Sequence, residues 1–278
     1  MEAVGIITLV IMVITTFFSS RGFSDHGFFA RFTFEVEKIR VYKDYKRLIT
    51  SGFLHVNWWH LIFNMMSLYF FSGGLENLIG GLNYLIIYLA GLLGGNLLSL
   101  FIHRYHGDYS AVGASGAVCG VIFASMALFP GMGINFLFIL PIPGWLFCIG
   151  FVLVSIYGIR SRKDNIGHDA HLGGALIGMF TAIIIQPSAL VTNIVPIVLV
   201  TVPTLFFIFF IIKNPASLLV DNHYFKNHEF YTMDDRYNIN KKNRQEEVDR
   251  ILEKIHRRGM NSLTKKEKEI LKDFSKMK

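Results

Sequence analysis

Apolar residues fill long uninterrupted windows of this chain instead of alternating with polar ones. Between Trp59 and His103 there is no Lys or Arg and a single acid, Glu76; between Gly107 and Ile159 the only charge is Asp108. A helix needs roughly 20 mostly apolar residues to cross a bilayer. That window predicts seven spans, at about 2–20, 59–78, 81–103, 115–129, 134–158, 169–186 and 191–212. The fourth is short and opens in Gly113-Ala-Ser-Gly116, so a non-helical entry loop is expected before it. Residues 2–20 lack a basic leading segment and an obvious small-residue cleavage site, and read as a retained helix, not a signal peptide.

Polarity is confined to the connections and the tail. Residues 21–58 read as a long first loop holding seven basic residues, and the chain from Lys213 onward holds sixteen more. In that tail Val248, Ile251, Leu252 and Ile255 recur at helical spacing before Gly259, and Thr264-Lys-Lys-Glu267 reads as a capping box opening a second helix. The expected organisation is an all-α polytopic membrane protein. It has a six-helix membrane core over 1–186, an added transmembrane helix over 187–212, and a polar basic tail over 213–278 that ends in a small helical hairpin.

Composition agrees. Hydrophobic residues make up 52% of the 278, and charged residues only 17%, against about 25% in ordinary globular domains. This excludes a disordered chain and an average soluble enzyme. Cys119 and Cys148 lie in apolar runs and read as small buried residues with no disulfide framework.

Strongly polar side chains inside a membrane span are expensive and usually functional. Three groups occur. His55, His60 and Asn64 flank and open the second span, with His60 and Asn64 four apart on one face. Gly113, Ser115 and Gly116 open the fourth, and His168, Asp169 and His171 open the sixth. These three spans run in the same direction, so all three groups lie near one membrane face. Gly116 and Gly120, and Gly174 and Gly178, form small-xxx-small pairs that let helix backbones approach closely. Close packing of the fourth and sixth spans would bring the Ser115 hydroxyl to the His171 imidazole, the geometry that activates a nucleophile. Asp169 is two residues from His171, on a different face, so a Ser–His dyad is expected in place of a triad. The Ser115 amide at a helix start, with Asn64 and His60, would supply oxyanion donors.

The set His55-x4-His60-x3-Asn64, Gly113-x-Ser115-Gly116 and Ala170-His171-x2-Gly174-x3-Gly178 resembles the rhomboid family of intramembrane serine proteases over roughly residues 45–180. The resemblance implies that Ser115 is the nucleophile, that His171 is general base and acid, and that His60, Asn64 and the Ser115 amide bind the oxyanion, with His55 in support. It further implies supporting roles for Arg47, in a first-loop motif that is typically Trp-Arg, and for Glu76 near the end of the second span. No cofactor, no metal and no nucleic-acid partner is implied; the expected partners are transmembrane protein substrates and the lipid bilayer. Two positions depart from the family pattern. Lys46 replaces the Trp, and Cys119 stands where an aromatic often packs on the catalytic imidazole.

Two other classes compete. A catalytically impaired rhomboid-like protein would bind transmembrane clients, a reading that Cys119 keeps open. A metal transporter would use His55, His60, His168 and His171 as ligands. His103 and His106 read as a polar loop. Orientation sets two arguments against each other. Seven crossings put all 27 basic residues on the catalytic side, which points that side to the cytoplasm by the positive-inside rule. The resemblance implies a bacterial-type cell membrane with the site opening to the extracytoplasmic side, and that orientation is the expectation adopted.

Overall fold

The computed structural model describes residues 4–129, 131, 133–136, 140–161 and 167–213, and three positions of the tail, 251, 255 and 264. The chain is an all-α polytopic membrane protein. Among the described residues, three helices are long and apolar enough to cross a membrane: α1 (Ile6–Ser24), α6 (Gly81–Ile102) and α9 (His168–Ile185). The bundle also contains α5 (Trp58–Ile79), α7 (Ser115–Leu128), α8 (Gly144–Ser161) and α11 (Ile194–Lys213).

The segment expected as a plain first loop is built. It folds into α2 (His26–Phe32), β1 (Phe34–Glu35), α3 (Val36–Arg40) and α4 (Arg47–Thr50), followed by a 3₁₀ turn at Ser51–Phe53. Phe34, Val36, Ile39 and Tyr109 form a small buried core of its own. β1 pairs antiparallel with β2 (Ser110–Ala111), tying this segment to the connection that leads into α7. Arg47 holds the turn together. Its guanidinium is buried and donates to the carbonyls of Ala30 (2.9 Å) and Thr33 (2.6 Å) and to Asp44 (2.9 Å). Lys46 forms a partly exposed ion pair with Asp44 at 3.4 Å.

The fifth span also differs from its predicted bounds. β3 (Gly133–Phe136) pairs antiparallel with β4 (Leu140–Pro143), and helix begins only at Gly144. The run over 133–143 is apolar apart from Asn135, but Pro141 and Pro143 lack an N–H and force the residues before them into extended backbone. A short α10 (Ala189–Thr192) precedes α11. The chain divides into two compact units, 1–228 and 229–278. In the second, Ile251 and Ile255 are helical and Ile251 is buried; the remainder of the expected hairpin lies outside the described residues.

The closest packing joins α6, α7 and α9. A Cβ on Gly174 would overlap the Gly116 carbonyl, and one on Gly178 would overlap the backbone of Gly120. A Cβ on Gly95 of α6 would come to 2.5 Å from the Ala170 carbonyl at the start of α9. The other two helices therefore meet α9 backbone to backbone, over roughly its first three turns. At the opposite end of the bundle, Glu76 closes the start of α1. It is buried and accepts from Ile7 N–H (2.8 Å), Thr8 N–H (3.0 Å) and Thr8 Oγ1 (2.6 Å). A carboxylate on exposed helix N–H groups satisfies both the orphan donors and the helix dipole.

Candidate active site

α7 has 14 residues, twelve of them buried. At about 1.5 Å per residue it is about 21 Å long, short of the roughly 30 Å hydrocarbon core. Its first residue, Ser115, follows directly on a non-helical entry segment. Gly113 makes that entry possible. Its φ of +142° is one that L side chains rarely adopt. A Cβ there would also meet His60 Cε1 at 2.9 Å and Ser115 Oγ at 3.6 Å.

The first-loop segment fixes this entry. Gly113 N–H donates to the Ser51 carbonyl (3.0 Å), and Ala114 N–H donates to His55 Nε2 (3.3 Å). Because His55 Nε2 accepts, its proton sits on Nδ1, which lies 2.9 Å from Ser19 Oγ of α1; that hydroxyl donates in turn to the Phe53 carbonyl. Burial, with a smaller contribution from neighbouring His60, pushes His55 down to about 3, so the ring is neutral in this role. The His55 and His60 rings meet edge to face at 4.8 Å.

Ser115 Oγ lies 2.7 Å from His171 Nε2. Both residues are half-buried, each at the first or second turn of its helix. On α5, Asn57 caps the helix start through the His60 N–H (2.8 Å), and Asn64 Nδ2 donates to the His60 carbonyl (2.9 Å). The Asn64 amide thus uses one of its two hydrogens within its own helix and keeps the second. Ser115, His171, His60 and Gly113 are in one place, with Asn64 one turn deeper. Gly116, Gly174 and Gly178 form the packing beneath, His55 buttresses the entry segment, and Arg47 and Glu76 act on the scaffold at a distance.

Three features of this site were not expected. Phe151 of α8 sets its ring 5.9 Å from that of His171. Ser19 anchors His55; it lies on one face of α1 with Thr8 and Thr15, all three fully buried, and that periodicity is the signal that could have found it. His103 is no loop residue in water. It is buried, its Nε2 lies 3.3 Å from the Asp169 carboxylate, and its ring stacks on Tyr109 at 3.6 Å. Among the described residues no three His, Cys, Asp or Glu side chains are placed to hold a metal ion.

A family model described as the Rhomboid domain matches residues 42–188, more than half of the chain. The chain belongs to the rhomboid family. RHOMBOID-like protein 12, mitochondrial, of Arabidopsis thaliana is 34% identical over 145 residues, covering 47% of this chain and 43% of that protein. Rhomboid protein 1, mitochondrial, of Saccharomyces cerevisiae is 34% identical over 137 residues, covering 48% and 39%. YdcA of Bacillus subtilis is 38% identical over 85 residues, covering 30% and 42%. The chain thus spans about two fifths of the length of the curated relatives it matches. With mitochondrial proteins of plant and yeast among these rhomboids, the expectation of a bacterial-type cell membrane is not borne out. Residues 231–277 match a separate family of unknown function, DUF6576.

Proposed function

We propose that this rhomboid is an intramembrane serine endopeptidase that hydrolyses peptide bonds in or beside the transmembrane segments of other membrane proteins. The observation that carries this reading is the 2.7 Å approach of Ser115 Oγ to His171 Nε2 at the starts of two packed helices. In the proposed reaction Ser115 Oγ attacks the scissile carbonyl carbon while its proton passes to His171 Nε2. The carbonyl oxygen becomes an oxyanion and accepts from the Ser115 N–H, His60 and the second Asn64 hydrogen. Collapse breaks the C–N bond, and His171 returns the proton to the leaving amine. A water then gives its proton to His171 and attacks the acyl ester; as the ester C–O bond breaks, His171 passes that proton to Ser115 Oγ and the acid product leaves. No cofactor enters these steps. The substrate helix must unwind locally, because a helix holds its carbonyls in hydrogen bonds.

In this reading residues 1–186 are the catalytic core, 187–212 an appended helix and 213–278 a separate tail. The test is cleavage of a transmembrane substrate by the purified protein in liposomes, with fluorophosphonate labelling of Ser115 in parallel. Ser115→Ala and His171→Ala should each abolish cleavage while the protein remains folded, and the double variant should be no worse than either single one. Turnover by Ser115→Ala at the wild-type rate would remove the proposal. An unlabelled wild-type protein that still binds transmembrane segments would favour the client-binding alternative.

A further inference from the structure

The Asp169 carboxylate is buried at the second residue of α9, inside a membrane helix, where a charge is costly and is retained only with partners. Its partners all come from one region. Ser99 Oγ on α6 donates to it at 2.5 Å, and His103 Nε2, just past the end of α6, lies 3.3 Å away. A carboxylate only accepts, so Nε2 carries the hydrogen. The His103 ring is held in turn. It stacks on Tyr109 at 3.6 Å with an interplanar angle of 6°, and Tyr109 packs edge to face on Phe34, in the small core of the first-loop segment. Gly167, the residue before α9, supplies no side-chain cap. The start of α9 is therefore tied laterally to the end of α6 through Asp169, two residues before His171.

That placement has a consequence for the 2.7 Å contact. The Asp169 hydrogen bonds run to Ser99 and His103 and not to the His171 ring, so the carboxylate acts on the helix that carries the imidazole. The Gly95 approach to the Ala170 carbonyl fixes the same turn from the same helix. Between them, a polar clamp and a steric contact define where α9 begins relative to α6, and α7 packs against both.

We propose that Asp169, clamped by His103 and Ser99, is a positioning residue that sets His171 against Ser115. This rests on the reading of His171 as the general base. An apolar residue at 169 would leave the α6–α9 spacing to the glycine contacts alone, and α9 would slide or rotate on them. A displacement of about 1 Å at the base costs on the order of 100-fold in rate.

The experiment measures kcat and KM for a transmembrane substrate in liposomes, per active site titrated with a fluorophosphonate, for Asp169→Asn, Asp169→Leu, His103→Phe and Ser99→Ala. Ser115→Ala, which a fluorophosphonate cannot titrate, and His171→Ala run alongside with turnover expressed per mole of protein. Asp169→Leu and His103→Phe should each lower kcat by roughly 10- to 100-fold with KM within about twofold. Asp169→Asn, which can still accept from both partners, should recover most of the loss. The double variant Asp169→Leu with His103→Phe should be no slower than the worse single. If the variants lose only thermal stability, and each titrated site turns over at the wild-type rate, Asp169 is structural and the proposal fails. Should Ser115→Ala or His171→Ala also turn over normally, the dyad reading itself has failed, an outcome distinguishable from the first.

Discussion

The Phe151 ring of α8 lies 5.9 Å from the His171 ring of α9, inclined by 37°. His171 also meets His168 edge to face at 5.8 Å. The imidazole thus has two ring neighbours although Cys119, one turn after Ser115, offers none. Phe151 takes up that contact from a different helix, and it also packs edge to face on Phe123 of α7 at 5.9 Å.

An aromatic pair contributes about 0.5–1.5 kcal/mol beyond its buried area. Phe151→Ala is therefore expected to lower kcat per titrated site by roughly 2- to 10-fold, with Phe151→Tyr close to wild type. Cys119→Ala should change kcat by less than twofold, since a small buried thiol supplies no ring and the Ser115–His171 hydrogen bond does not run through it. A larger loss for Cys119→Ala than for Phe151→Ala would return the bracing role to α7.

Small-residue packing gives a sharper expectation. A single Cβ at Gly174 already overlaps the Gly116 carbonyl. Gly174→Ala should therefore cost activity, and Gly174→Val should cost on the order of 100-fold, because the spacing of α7 and α9 sets the distance between Ser115 and His171. Gly150 on α8 is the control. Nothing lies within 4 Å of a Cβ there, so Gly150→Ala should leave kcat unchanged and raise helix stability by up to about 1 kcal/mol. Equal activity in both Gly→Ala variants would show that the helices yield without consequence.

These contacts separate what the sequence discloses from what it hides. Ser115, His171, His60 and Asn64 stand out because each is a costly polar group in an apolar window, and helix direction alone puts them at one depth. Gly116, Gly120, Gly174 and Gly178 announce their contact by spacing. Phe151 carries no such mark among 26 phenylalanines. The Asp169–His103 clamp joins the start of one helix to the end of another; Ser99 and His103 are four apart on one face, but nothing in their spacing points to Asp169 seventy residues on. The pairing of β3 with β4 is hidden by the apolar character of the run, since hydropathy sees Pro141 and Pro143 as two residues in it and not as two missing donors. The first-loop segment reads as loop because its elements are two to seven residues long, too short for periodicity to register.

Asn64 separates a catalytic role from a packing one. Its Nδ2 already satisfies the His60 carbonyl at 2.9 Å, so the amide is oriented before substrate arrives. Removing one oxyanion donor usually costs about 100- to 1000-fold in kcat. Asn64→Ala should show that loss with KM little changed, because a donor used only in the transition state does not bind the ground state. A normal kcat per titrated Ser115, with a lowered melting temperature, would make Asn64 bundle glue instead.

His55 links the site to pH through stability. Buried, accepting from Ala114 N–H and facing Ser19, it titrates at about 3 in the folded protein, against about 6.5 for an unfolded histidine. Below that value the unfolded chain binds a proton that the folded ring refuses. The stabilisation is therefore complete above about pH 6.5 and is lost progressively as pH falls toward about 3, an interval worth on the order of 5 kcal/mol. Gln at 55 offers a donor and an acceptor but does not titrate. His55→Gln should lower the melting temperature in detergent at pH 7, where the native ring fits better, yet its melting temperature should fall less than that of wild type between pH 7 and pH 4. The two curves should converge on acidification. Parallel curves over that range would mean that His55 is not the group through which acid loosens the segment entering Ser115.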